Sequence, residues 1–150
     1  MKVTELGHVV LYVRDAVRSA RFYRDVLGWT QVTSGPMASF PVAAFSSGRT
    51  HHELLLIEVG ADAAPVPPGR RLGLYHFGLK IGETDDDLRA ALERLAEAGV
   101  PVLGASDHGF THSLYIADPD GNEIELYIDV PGVDWSDPAM WATPIRPLNL

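Results

Sequence analysis

Residues 112–127 decide the fold, and they read His112-Ser113-Leu114-Tyr115-Ile116-Ala117-Asp118-Pro119-Asp120-Gly121-Asn122-Glu123-Ile124-Glu125-Leu126-Tyr127. The Asp-Pro-Asp-Gly turn between two apolar runs is typical of a β-hairpin, because proline and glycine suit the backbone angles of a turn. Strand alternation places Glu123, Glu125 and Tyr127 on one face of the second strand, and Ser113, Tyr115 and Ala117 on one face of the first. If both faces line one cavity, a carboxylate and a phenol point into it together. A buried carboxylate needs a cation or hydrogen-bond donors, so the pattern predicts a polar site. An exposed face with ordinary surface glutamates explains it equally well.

Composition limits the classes of function. The chain has 150 residues, 46% of them hydrophobic, which predicts one domain or two small modules that share a core. A formal net charge of −8 argues against nucleic acid or an anionic membrane as the main partner. The absence of cysteine excludes disulfides and thiolate chemistry. No apolar run approaches the ~18 residues of a membrane span, and residues 1–5 lack a signal-peptide pattern, so we expect a cytoplasmic protein.

The chain repeats its own organisation. Residues 8–13 and residues 76–81 are apolar runs that begin with histidine, and each is followed by a helical pattern that ends at glycine. This order predicts βαβββ twice, an α+β protein. Its domain covers residues 1–130, with module 1 at about 4–60 and module 2 at about 72–130, and a C-terminal tail follows at 131–150.

The predicted elements follow from local signals. Asp15 is the expected N-cap of the first helix, and Thr84 begins a capping box for the second. Gly35-Pro36 is expected to form a turn. In the tail, Trp135 and Trp141 are expected to be at least partly buried. Besides the hairpin, the predicted strands are 6–13, 29–34, 40–46, 50–59, 74–81 and 101–103.

Three side chains on predicted strands suggest a metal site. His8 and His76 occupy equivalent places in the repeat, so a pseudo-twofold arrangement would bring them together. With Glu125 they form the two-imidazole, one-carboxylate set of an open divalent site, which leaves positions for substrate and oxygen or water. Each histidine taken alone is more often a satisfied core residue.

The repeat, together with His8, His76 and Glu125 in the sequence Gly-Asn-Glu-Ile-Glu-Leu-Tyr, resembles the vicinal oxygen chelate superfamily. That superfamily contains glyoxalase I, fosfomycin-resistance enzymes, bleomycin-resistance proteins and extradiol dioxygenases. The resemblance covers residues 4 to about 130. It implies two βαβββ modules that form a half-open barrel around a metal site, and a homodimer.

Further residues resemble those of extradiol dioxygenases, and the tail resembles catechol-2,3-dioxygenase-like proteins. His52 matches their acid–base histidine, and Tyr115 matches the tyrosine that hydrogen-bonds a catechol hydroxyl. His108 and His112 are candidates for a substrate-binding histidine, although strand parity with Leu114 would direct His112 toward the helices. The resemblance implies an oxidoreductase that uses Fe(II), alternatively Mn(II) or another divalent metal, to cleave a catechol-type aromatic with dioxygen.

Two other functions fit the same sequence. A glyoxalase-like lyase or isomerase would take a fourth metal ligand from Glu53 or His52. A metal-free drug-binding protein of the bleomycin-resistance type would need no ligands. Typical extradiol dioxygenases also carry an additional N-terminal module pair. Bound metal separates the drug-binding protein from the enzymes, and oxygen uptake separates the dioxygenase from the lyase.

Overall fold

A computed structural model describes residues 1–37 and 40–150, and these residues form two compact units, Met1–Val66 and Pro67–Leu150. The predicted βαβββ order is found in each unit. The first unit contains β1 (Val9–Val13), α1 (Ala16–Arg21), a π-helical turn (Phe22–Val26), β2 (Thr30–Met37), β3 (Phe40–Ser46) and β4 (Leu54–Glu58). The second contains β5 (His76–Gly82), α2 (Asp85–Glu97), β6 (Gly104–Asp107), β7 (Thr111–Ala117), β8 (Glu123–Asp129), a 3-10 helix (Pro138–Ala142) and β9 (Arg146–Pro147).

The first unit is a four-stranded sheet in the order β1-β4-β3-β2, and α1 packs against it. β1 and β4 are parallel, with Val9 opposite Leu54. The predicted cap is present, because an Asp15 carboxylate oxygen accepts a hydrogen bond from the Arg18 N–H at 2.9 Å. The core consists of large side chains that are fully buried: Tyr23, Phe45, Leu54 and Leu56. Burial of an apolar side chain of this size stabilises a fold by ~1.5–3 kcal/mol.

The second unit is a five-stranded sheet in the order β5-β8-β7-β6-β9. α2 packs on one face, and its apolar side chains Leu88 and Leu95 are buried. The inward positions of the hairpin are fully buried: Leu114, Ile116, Ile124, Leu126 and Ile128. The residues between them, Tyr115 and Glu125 among them, are only half-buried, so one face of this sheet is free of α2 and carries the polar side chains.

The hairpin predicted at residues 112–127 is confirmed, with Tyr115 directly opposite Glu125. Its turn is organised by Asp118, which is only 5% exposed. One carboxylate oxygen of Asp118 accepts from the N–H groups of Asp120 at 2.9 Å and Asn122 at 2.8 Å. Gly121 has φ +90°, a conformation that favours glycine.

Several predicted strand limits are wrong. β1 begins at Val9 and not at residue 6, and β5 begins at His76 and not at residue 74. β4 begins at Leu54 because the segment before it is a closed loop, in which the Glu53 carboxylate accepts from Ser47 and Arg49. Residues 101–103 precede β6 and are not a strand. Gly35-Pro36 continues β2 and pairs with β3 instead of turning, so the pairing partner overrides the local turn preference.

The tail is attached to the second unit through its backbone. β9 pairs with β6 as an edge strand. The predicted burial of the tryptophans is wrong for the single chain, because Trp135 is 70% and Trp141 77% exposed. Backbone pairing, and a contact between Trp141 and Phe110 with ring centroids 5.2 Å apart, hold the tail without burying the indoles. In the described ranges, no helix is both long and apolar enough to cross a membrane.

Candidate functional site

His76 lies between two carboxylates on the polar face of the second unit. The parallel pairing of β5 and β8 sets His76 opposite Glu123, with Glu125 two residues farther along β8. His76 Nε2 is 3.4 Å from Glu125 Oε2, and His76 Nδ1 is 3.4 Å from Glu123 Oε1. His76 Nδ1 is buried and has no hydrogen-bond partner among the residues that the structure describes. An imidazole nitrogen and a carboxylate oxygen therefore face the same space, with a second carboxylate behind the ring.

Tyr115 and His108 extend this cluster. The Tyr115 hydroxyl donates to Glu125 Oε1 at 3.2 Å. His108 Nε2 is 2.8 Å from the Tyr115 hydroxyl and 3.8 Å from Glu125 Oε1. The sheet and the loop after β6 thus bring two imidazoles, one phenol and one carboxylate together.

The cluster favours protonated phenols. Burial, and then the Glu125 carboxylate, raise the pKa of Tyr115 to about 12, so its hydroxyl remains a hydrogen-bond donor at neutral pH. The Glu123 carboxylate likewise raises the pKa of Tyr75. Negative charge concentrated on this face is suited to a cation.

Gly78 leaves room for the Glu125 carboxylate. It lies opposite Glu125 in the β5–β8 pairing. A Cβ atom on Gly78 would lie 3.1 Å from Cε1 of Tyr127 and 3.5 Å from Oε2 of Glu125. A side chain at this position would therefore crowd both groups.

Three histidines gather in the first unit. His8 directly precedes β1, and its ring centroid is 4.6 Å from that of His52 and 6.4 Å from that of His51. His51 Nδ1 and His52 Nδ1 are 2.6 Å apart. Both belong to the loop before β4, so strand parity does not distinguish them. Burial, and then the neighbouring His51 and His8, lower the pKa of His52, which favours its neutral, proton-accepting form at neutral pH.

The two candidates for a substrate-binding histidine lie on different sides of the sheet. His112 Nδ1 is 2.6 Å from Asp85 Oδ1, in the first turn of α2. His108 contacts Tyr115 on the opposite, polar face. Among these two, the structure joins only His108 to the cluster.

A divalent ion would find two suitable ligands in this cluster. Within residues 1–37 and 40–150, no group of three or more His, Asp or Glu side chains is arranged to hold a metal ion. His76 and Glu125 fit as a pair, since an imidazole nitrogen and a carboxylate oxygen are common ligands of divalent ions. Glu123 would orient the His76 ring, as carboxylates behind metal-binding histidines do.

Glu123, Tyr75 and Gly78 were not among the predicted site residues. Alternation alone placed Glu123 on the face of Glu125. The sequence pattern could therefore have identified Glu123 as a site residue. Its pairing with His76 could not be predicted, because that pairing is set by the register between β5 and β8.

Residues 5–126 match the profile of the Glyoxalase/Bleomycin resistance protein/Dioxygenase superfamily. The chain belongs to this superfamily. The resemblance inferred from the repeat is thus confirmed, together with the α+β class.

Individual relatives fall into more than one functional group. Catechol-2,3-dioxygenase of Bacillus subtilis is 36% identical over 88% of this chain, which spans 44% of that protein's length. A glyoxylase/bleomycin resistance protein/dioxygenase domain from Frankia sp. EAN1pec has a TM-score of 0.70 at 26% identity, covering 85% of this chain and 99% of that one. A lactoylglutathione lyase from Agrobacterium tumefaciens has a TM-score of 0.63 at 26% identity, covering 85% and 95%.

Proposed function

We propose that this superfamily member is an extradiol-type dioxygenase that cleaves the ring of a catechol-type aromatic. The observation that supports this most is the Tyr115 hydroxyl, 3.2 Å from Glu125 and 2.8 Å from His108. It places a hydrogen-bond donor and an imidazole beside a His76–Glu125 pair that is suited to a metal. The 36% identity to catechol-2,3-dioxygenase supports the same substrate class.

The proposed metal ligands are His8, His76 and Glu125, and the proposed metal is Fe(II), with Mn(II) or another divalent ion as the alternative. When bound, such an ion would offer open positions for both catechol oxygens and for dioxygen. Tyr75 and Tyr115 add hydroxyl donors around the two carboxylates.

Three side chains would handle protons. Neutral His52 would accept a proton from a catechol hydroxyl, which its lowered pKa permits at neutral pH. Tyr115, protonated because its pKa is raised to about 12, would turn its single O–H from Glu125 to a substrate oxygen and fix the ring's orientation. His108 would hold the Tyr115 hydroxyl in place.

Oxygen consumption tests the proposal. The protein is loaded anaerobically with Fe(II), and oxygen uptake is followed with an electrode as catechols are added. The Tyr115→Phe and His52→Ala variants should retain iron but lose ~10²–10⁴-fold in kcat, the usual contribution of a general acid–base. His112→Gln is the matched control, because His112 is bonded to Asp85 on the other side of the sheet. Wild-type protein that binds iron but consumes no oxygen with any catechol would refute the proposal.

A glyoxalase-like lyase is the second candidate. The structural likeness to a lactoylglutathione lyase, with a TM-score of 0.63 at 26% identity, supports this candidate. The Glu53 carboxylate, however, is engaged by Ser47 and Arg49, which makes Glu53 a poor fourth ligand. Isomerisation of a hemithioacetal without oxygen uptake would decide for the lyase. Loss of metal in His52→Ala would make His52 a ligand and remove its acid–base role.

The remaining sequence-based expectations stay predictions. They are a homodimer and a cytoplasmic location. Sedimentation of the purified chain at several concentrations would test the first, and cell fractionation would test the second. A protein that binds no divalent metal in the oxygen-uptake assay or in the hemithioacetal assay would instead favour the drug-binding alternative.

A further inference from the structure

The C-terminal strap, residues 138–148, runs along one edge of the second unit's sheet. It begins with the 3-10 helix Pro138–Ala142 and ends with β9, which is antiparallel to β6. In this pairing Arg146 lies opposite Asp107. The strap is therefore joined to the last residue of β6, directly before the loop 108–110.

The strap also contacts this loop through side chains. Gly109 has φ +84°, and a Cβ atom built on it would lie only 2.7 Å from Cγ2 of Thr143. Phe110 meets the indole of Trp141, with ring centroids 5.2 Å apart. Two consecutive loop residues thus lie against the strap, and the Thr143 side chain occupies the space above Gly109.

His108 lies between the residues that the strap holds. Asp107 on one side pairs with Arg146, and Gly109 on the other side contacts Thr143. The side chain of His108 points to the polar face, 2.8 Å from the Tyr115 hydroxyl. A displacement of either neighbour would carry the His108 ring with it, because both adjoin it in the backbone.

We infer that the strap positions His108 against Tyr115 and Glu125, with Trp141 and Thr143 as the positioning residues. This inference rests on the proposed function, because it assigns His108 and Tyr115 to the reacting site. Trp141 is 77% exposed, so its indole adds little to the core. Its contact with Phe110 is therefore the main packing that its removal would disturb.

The test measures the His108 ring directly, in the full chain and without added metal. Long-range proton–nitrogen NMR spectra are recorded for wild type, Trp141→Ala and Trp141→Phe, and the His108 signals are assigned by their loss in His108→Asn. We expect Trp141→Ala to shift or broaden the His108 ring signals, while those of His112, held by Asp85, stay in place. Trp141→Phe should restore the wild-type signals, because a ring still meets Phe110.

Two further variants keep the test decisive. Trp135→Ala is the matched control, since Trp135 is a similarly exposed tryptophan of the tail, 70% exposed, but lies before the strap. Thr143→Ser removes only the Cγ2 methyl that contacts Gly109. If Trp141→Ala does not fold, the His108 signals of Thr143→Ser test whether the strap positions this ring. Unchanged His108 signals in the folded Trp141→Ala and Thr143→Ser variants would overturn the inference. An effect of Trp135→Ala equal to that of Trp141→Ala would do the same.

Turnover adds an independent measurement. In a wild type that consumes oxygen with a catechol, Trp141→Ala should lower kcat with little change in KM, by up to ~10²-fold, as displacements of about 1 Å can. An unchanged kcat in a variant with displaced His108 signals would contradict the role proposed for His108 in turnover, and would leave the positioning of His108 by the strap supported. A wild type without oxygen uptake would refute the proposed function alone, because the NMR comparison still decides whether the strap positions His108.

Discussion

Replacing Asp118 tests how the hairpin turn holds the site strands together. Asp118 is 5% exposed. Its carboxylate accepts hydrogen bonds from the backbone N–H groups of Asp120 and Asn122 and from the Asn122 side chain, the last at 2.9 Å. A hydrogen bond to a charged acceptor contributes ~1.5–3 kcal/mol. The donors are half-buried and can partly turn to water, so the lower end applies. With three such bonds, Asp118→Ala should therefore lower the free energy of unfolding by ~4.5 kcal/mol.

This loss is large enough to measure by thermal denaturation. At about 2–4 °C per kcal/mol for a chain of this size, Asp118→Ala should lower the Tm, measured by circular dichroism, by ~9–18 °C. Asp118→Asn keeps an oxygen for the two backbone donors and loses the third bond, so it should cost only ~1.5 kcal/mol. An alanine variant that melts within about 2 °C of wild type, or an asparagine variant as damaged as the alanine one, would refute the assigned role of the turn.

Three further results are expected. Glu125→Gln should lower Fe(II) affinity, measured by titration and elemental analysis, by more than Glu123→Gln, whose effect should be the ~10–100-fold of an outer partner; equal losses would contradict the proposed ligand assignment. Because the pKa of His52 is lowered, the native state binds fewer protons than the unfolded state just below the usual pKa of histidine, and stability is lost as the pH falls through that window. Urea unfolding should therefore show that His52→Asn loses less stability than wild type between pH 7 and 5. The same pH profile in both proteins would contradict this. Gly78→Ala places a methyl 3.1 Å from a tyrosine ring and should weaken metal binding, whereas Gly104→Ala, whose methyl would lie 3.8 Å from its nearest neighbour, should not.

Local chemistry accounts for what could be predicted of the fold. The Asp-Pro-Asp-Gly turn, the Thr84 capping box and the Asp15 cap are all present where the sequence placed them. Each depends on residues within a few positions of one another, so the sequence contains all the groups that make the contact. The α+β class followed because two such local orders repeat along the chain.

The wrong strand limits arise from contacts outside the local pattern. Residues 50–53 have the composition of a strand, yet the Glu53 carboxylate closes the loop by accepting from Ser47 and Arg49. Gly35-Pro36 has turn chemistry, yet pairing with β3 keeps it extended. In both places the partner group, and not the intrinsic preference of the segment, determines the backbone.

The sequence by itself determined which residue types are available for the site, and the alternation that puts Glu123, Glu125 and Tyr115 on polar faces. Only the tertiary structure decided that His76 lies between the two glutamates, because that depends on the parallel register of β5 with β8. It also separated His108, beside Tyr115, from His112, beside α2. Alternation repeats every two residues, so a strand that slides by two residues along its neighbour keeps the same side chains on the same face. The pattern therefore cannot specify which residues of distant strands meet.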